Sequence, residues 1–175
     1  SACLVGSEMC IRDSNCVKDK KRNVFVVDEN VLPQTLAVLQ GRAMGFGIEV
    51  ITSKLHNNGK AALPIEHKDR IMGVLVQYPD VNGTLIDWAP LAKEVKELGG
   101  LLIAATDLLA LTMIRSPGEW GADVAVGNAG RFGVPPGYGG PQAGFFAASD
   151  AIKRRMPGRL IGVSRDADGR PAYRL

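Results

Sequence analysis

IMGVLVQYPDVNGTLIDWAPLAKEVKELGGLLIAAT, residues 71–106, reads as a strand, a helix and a second strand. IMGVLVQ (Ile71 to Gln77) and LLIAAT (Leu101 to Thr106) are apolar nearly throughout and lack the polar–apolar alternation of a half-exposed strand. Such strands are expected where both faces of a sheet are covered, which happens when helices connect mostly parallel strands. The intervening Trp88 to Leu98 places Leu91, Val95 and Leu98 along one helical face, suited to packing on that sheet. The prediction is a three-layer α/β domain.

Outward from this unit, strands are predicted over Asn23 to Val27, Ile48 to Thr52, Asp123 to Val126 and Gly144 to Ala148. Pro33 to Met44 reads as a helix with proline in its opening turn. In sheets of this kind, reactive groups lie beyond the carboxyl ends of the strands. Here those ends read VVDEN, VQYPDVNG, AATD and AVGNAGRFG.

The composition fits this reading and narrows the function. The 175 residues are 46% hydrophobic and 22% charged, enough for one sizeable core. Net charge is only +3, and the basic clusters, Lys18 to Arg22 and Lys153 to Arg155, have no interleaved aromatics, so nucleic acid is not an expected partner. The longest apolar stretch, Leu101 to Leu111, is broken by Thr106 and Asp107 and is too short to span a bilayer. No membrane partner is expected. Residues 1–14, SACLVGSEMCIRDS, lack the basic start and sustained apolar core of a signal peptide. EMCIRDS resembles the translation of a transposase adapter used in sequencing libraries, so residues 1–14 are expected to be non-native and 15–175 to be the protein proper. Only Cys16 then remains, and no disulfide framework or metal-ligand spacing is expected.

Three features could carry chemistry. Asp107 follows an apolar strand and precedes a second apolar stretch, a costly place for a carboxylate without a partner. It suits either a carboxylate that holds a cofactor ring nitrogen protonated or the N-cap of a helix. GNAGRFGVPPGYGGPQAGFF, residues 127–146, has seven glycines and three prolines between two strands. Such a bare loop can offer amides to an anion or serve as a rigid crossover, but it matches neither the dinucleotide fingerprint nor the phosphate loop. His56 and His67 read as solvated loop residues. Neither a nucleophile elbow nor a histidine next to Cys16 supports nucleophilic catalysis.

Five blocks, VLPQTLAVLQGRA, GVLVQYPDVNGTLIDW, ATDLLALTMIRSPGEWGAD, RFGVPPGYGGP and MPGRLIGVSRDADGRPAYRL, together resemble successive motifs of the P-protein of the glycine cleavage system. The resemblance covers residues 20–175 and points to the first half of that enzyme, or its first subunit. It implies the large domain of a fold type I pyridoxal phosphate enzyme, incomplete at both ends. It also implies a reaction in which glycine loses carbon dioxide and its aminomethyl group passes to the lipoyl arm of the H-protein. The site would then be cytoplasmic in a bacterium and mitochondrial in a eukaryote. By the resemblance, Asp107 matches the ring-nitrogen aspartate, either in use or vestigial, and the Schiff-base lysine belongs to the loop after the strand matching Ala122 to Val126. Here that loop reads Gly127, Asn128, Ala129, Gly130, Arg131, without lysine. No residue of this chain is therefore expected to bind the cofactor covalently or to be catalytic, and a lysine-bearing second half or subunit is the expected partner. The sequence departs from the family pattern at Leu32 and Gln142, where histidine is usual, and at Gly130, where glutamine is usual. A non-catalytic pairing module is the alternative these departures raise. Another fold type I enzyme, such as a cysteine desulfurase or aminotransferase, would need the missing lysine.

Overall fold

The computed structural model describes residues 22–57, 60, 61, 63, 65–156 and 161–174. Residues 1–14, Cys16 and most of the first basic cluster lie outside them. The chain runs β1 (Val24–Asp28), α1 (Pro33–Met44), β2 (Glu49–Ser53), β3 (His56–Asn57), β4 (Lys60–Ala61), β5 (Ile71–Tyr78), α2 (Ala89–Glu97), β6 (Leu101–Asp107), β7 (Val124–Asn128), β8 (Gly144–Ala148), β9 (Gly162–Arg165) and β10 (Pro171–Arg174). One six-stranded sheet has the order β2-β1-β5-β6-β7-β8. All its pairings are parallel except that of β7 with β8. β3 with β4 and β9 with β10 form separate two-stranded ribbons.

The all-apolar strands are central, as expected. Successive residues point to opposite faces, and both faces are covered. On one face Val24, Val26, Val74, Val76, Leu102 and Ala104 pack with Leu91, Ala92 and Val95 of α2, and with Trp88. On the other, Phe25, Val27, Leu75, Ile103, Val124 and Val126 pack with Leu39 and Ala43 of α1 and with Ile152. The result is the predicted three layers. α1 has its predicted bounds, while α2 is one residue shorter at each end than the stretch Trp88 to Leu98, and Leu98 still packs on the core. The strands run one to two residues further toward their carboxyl ends than their apolar runs, because ladder pairing continues through Asp28, Ser53, Tyr78, Asp107 and Asn128.

The close pairing of β6 and β7 depends on a glycine. A Cβ at Gly127 would lie 1.9 Å from the Thr106 carbonyl and 2.8 Å from Cε1 of Phe145, so no side chain fits there. At the opposite end of the same pair, the Asp123 carboxylate accepts a hydrogen bond from the Leu102 amide at 2.9 Å. Burial pushes the Asp123 carboxyl up, against the lowering effects of that bond and of Lys96.

Two predictions follow from this packing. Gly127→Ala should destabilise the chain by about 2 kcal/mol or more through overpacking against backbone, whereas Gly118→Ala, with open space around its Cβ position, should lie within about 0.5 kcal/mol. Denaturant midpoints of the two variants check this, and equal midpoints would refute it. Asp123→Asn keeps an oxygen for the Leu102 amide and removes the buried charge. Because the folded carboxyl sits above its unfolded value, its contribution is full at pH below about 3.9 and is lost as pH rises through the folded value. The variant should therefore match or exceed the parent in stability near neutral pH, with the gap closing in acid. A variant that is weaker at neutral pH and equal in acid would contradict this.

Candidate functional site

The parallel strands bring Asp28, Tyr78, Asp107 and Asn128 to one edge of the sheet, each at the last residue of its strand. Asp28 is 1% exposed and accepts the Leu55 amide at 3.1 Å and the Asn30 amide at 3.2 Å. Burial pushes its carboxyl up, and the two backbone bonds and nearby His56 pull against that. The Asn30 side-chain amide lies 2.8 Å from His56 Nε2, and the His56 ring meets Trp88 edge-on at 6.0 Å. His56 is therefore not the solvated loop residue expected from its polar surroundings. Pairing in β3 and contacts with Asn30 and Trp88 hold it in place, and no local sequence signal announces partners 26 and 32 residues away. His67 sits in a 3-10 segment, Ile65–Arg70, just before β5.

After β5, Asp80 organises the turn. Its Oδ1 accepts the amides of Asn82 at 2.8 Å and Thr84 at 2.7 Å. The Val81 amide donates to the Asn30 carbonyl at 3.0 Å and ties this loop to the one after β1.

Asp107 ends β6 with its side chain 23% exposed. Its Oδ1 accepts the Leu109 amide at 3.2 Å, and a short 3-10 turn, Ala110–Thr112, follows. The helix that Asp107 could have capped does not form as an α-helix. Instead its Oδ2 pairs with the guanidinium of Arg131, which reaches back from the loop after β7. That loop is not the crossover considered from sequence but a hairpin connection between the adjacent antiparallel strands β7 and β8, with its ends tied together. The Ala129 amide donates to the Ala143 carbonyl at 2.7 Å, Asn128 Nδ2 to Gln142 Oε1 at 3.1 Å, and Gln142 Nε2 to the Gly139 carbonyl at 2.8 Å. Asn128 Oδ1 also accepts the Gly130 amide. Leu32 is the N-cap residue of α1 and makes no side-chain bond to the helix amides.

The chain has no lysine in residues 29–32, 79–88, 108–123 or 129–143, which directly follow β1, β5, β6 and β7 of the main sheet. Lys54 follows the edge strand β2, Lys68 is paired with Glu94 at 2.8 Å, Lys93 and Lys96 belong to α2, and Lys153 is paired with Asp150 at 2.7 Å. Among the described residues, no group of three or more histidine, cysteine or acidic side chains could hold a metal ion. No helix among them is long and apolar enough to cross a membrane.

Comparison with known proteins agrees with this architecture. A solved structure of glycine decarboxylase (P-protein) of the glycine cleavage system, in inhibitor-bound form, superposes with a TM-score of 0.82 at 33% identity, covering 98% of this chain and 38% of that one. Cystathionine gamma-lyase of Lactobacillus plantarum shares the fold at 14% identity, with a TM-score of 0.62 over 89% of this chain and 38% of its own. The sheet is thus that of fold type I. A mitochondrial protein of Schizosaccharomyces pombe named for glycine dehydrogenase (decarboxylating) is 51% identical over 156 residues, 89% of this chain. The glycine dehydrogenase (decarboxylating) of Cupriavidus metallidurans is 53% identical over 153 residues, 87% of this chain. The chain spans about 15% of the length of these two curated relatives. The family model for the glycine cleavage system P-protein matches residues 7–175, starting within the stretch set apart as adapter-like, and the chain belongs to that family.

Proposed function

We propose that this chain is part of the half of a glycine dehydrogenase (decarboxylating) that lacks the Schiff-base lysine. The complete assembly releases carbon dioxide from glycine and passes the aminomethyl group to the lipoyl arm of the H-protein. The identity to two relatives bearing that enzyme name supports the reading, and Arg131 is the observation that carries it. Arg131 stands in the loop after β7, where the resemblance expects the imine-forming lysine of the other half, and its guanidinium is on Asp107. An imine needs an amine that can lose its proton, and arginine does not lose one.

Pyridoxal phosphate would supply the electron sink for decarboxylation in the assembly. The residues of this chain do not fit a covalently held ring, since the loop from β7 to β8 holds no lysine and the carboxylate of Asp107 is already engaged by Arg131. The amine therefore belongs to a lysine-bearing second half or subunit, and this half supports the shared site by holding its loops in shape. Residues 1–14 are read as adapter-derived and 15–175 as part of the large domain. The compartment would be mitochondrial in a eukaryote, in keeping with the name of the Schizosaccharomyces relative, and cytoplasmic in a bacterium.

A second reading, a non-catalytic pairing module, draws on Gly130 and Gln142, which both depart from the family pattern and both bind Asn128. Mixing the chain with a lysine-bearing partner and assaying carbon dioxide exchange from glycine separates the two readings. Exchange supports the first, and its absence from every complete assembly supports the second. The full chain given pyridoxal phosphate alone should not develop the yellow absorbance of an internal aldimine. That absorbance, followed by borohydride labelling of any lysine here, would overturn the assignment.

A further inference from the structure

On the α2 face of the sheet, beyond the carboxyl ends of β5 and β6, lies a pocket of about 170 Å³ lined by Tyr78, Leu85, Ile86, Asp87, Arg115 and Trp120. It is on the other side of the sheet from Asp107. Leu102 and Ala104 share the cluster of Tyr78 and Trp120, whereas Leu101 and Ala105, on the strand face of Asp107, pack with α1. The floor is apolar and rigid. Tyr78, Ile86 and Trp120 are all under 10% exposed, and the two aromatic rings meet edge to face at 5.6 Å.

The polar groups of the pocket are underused. Among the described residues, the indole Nε1 of Trp120 is shielded from solvent and has no hydrogen-bond partner. Burial pushes the Tyr78 phenol up, with Arg115 lowering it and Asp87 raising it, so the hydroxyl keeps its proton as a donor beside both charges. Among the described residues, Arg115 is held by one bond, Nη2 donating to the Glu119 carbonyl at 3.0 Å, and Asp87 by one, Oδ1 accepting from the Ala89 amide at 3.1 Å. Each charge therefore retains capacity for a ligand.

A cation with spare donors, a carboxylate with a spare oxygen and an apolar floor between them match one chemical class. We propose that this pocket binds a small zwitterionic α-amino acid with an apolar side chain. Its carboxylate meets Arg115 and the Tyr78 hydroxyl, its ammonium meets Asp87, and its side chain rests on Ile86 and Trp120. The site goes beyond the decarboxylation reading and requires neither pyridoxal phosphate nor the partner half.

L-leucine titrated into the full chain should produce a saturable change in tryptophan fluorescence. Isovalerate and isopentylamine, each carrying one of the two charges, should bind about tenfold more weakly or worse, and so should L-leucine to Arg115→Gln and to Asp87→Asn. Both side chains are at the surface, so circular dichroism melts of these variants should match the parent. If either variant fails to fold, the other carries the test. Trp120→Phe should lose the fluorescence signal while calorimetry still detects binding. No saturable response, equal affinity for isovalerate, or unchanged affinity in the two charge variants would overturn the proposal.

Discussion

The fold rests on one constraint, the burial of β1, β5 and β6 on both faces. Val24, Phe25, Val26 and Val27 are fully buried in succession, as are Val74, Leu75 and Val76, and Leu102, Ile103 and Ala104. At about 25 cal/mol per Å² of apolar surface, leaving either face bare would forfeit several kcal/mol for each strand. Helices on both sides follow from that, and so does a parallel sheet whose connections run through those helices. The same constraint confines polar chemistry. A carboxylate has no place within these strands, so Asp28, Asp107 and Asn128 stand at strand ends, where loop amides and side chains can satisfy them.

The pair of Asp107 and Arg131 shows how a carboxylate at the end of a buried strand is balanced by a side chain from the loop after the neighbouring strand. The Arg131 side chain is 68% exposed and that of Asp107 23%, so as a surface ion pair it contributes between about 0 and 1 kcal/mol to stability. Its importance is electrostatic and positional. The carboxylate at the end of β6 is balanced by the Arg131 guanidinium, which reaches back to it from the glycine-rich loop after β7.

The architecture was legible in the sequence because it depends on local pattern. IMGVLVQ and LLIAAT announced two-sided burial, Pro33 announced the start of α1, and the strand-end segments VVDEN and AATD contained Asp28 and Asp107. What could not be read were partnerships across the sheet. His56 looked solvated because Asn30 and Trp88 are distant in the chain, and Asp107 offered a helix cap, whereas a 3-10 turn follows it and Arg131 holds one of its oxygens. Tyr78, Arg115 and Trp120 likewise carried no joint signal, since a strand end and a turn some 40 residues later meet only when β6 is laid beside β5.

Asn128 bears on whether the departures at Gly130 and Gln142 amount to decay. A Cβ at Gly130 would lie 2.6 Å from Asn128 Oδ1, so any side chain there would displace the amide that now accepts the Gly130 N–H. The other end of that amide is held by Gln142, which in turn grips the Gly139 carbonyl. The glutamine that the resemblance expects at position 130 would therefore disturb the very group that Gln142 binds. The two departures therefore meet at one side chain: Asn128 accepts the Gly130 amide through Oδ1 and donates to Gln142 through Nδ2, so a change at either position must move the same anchor.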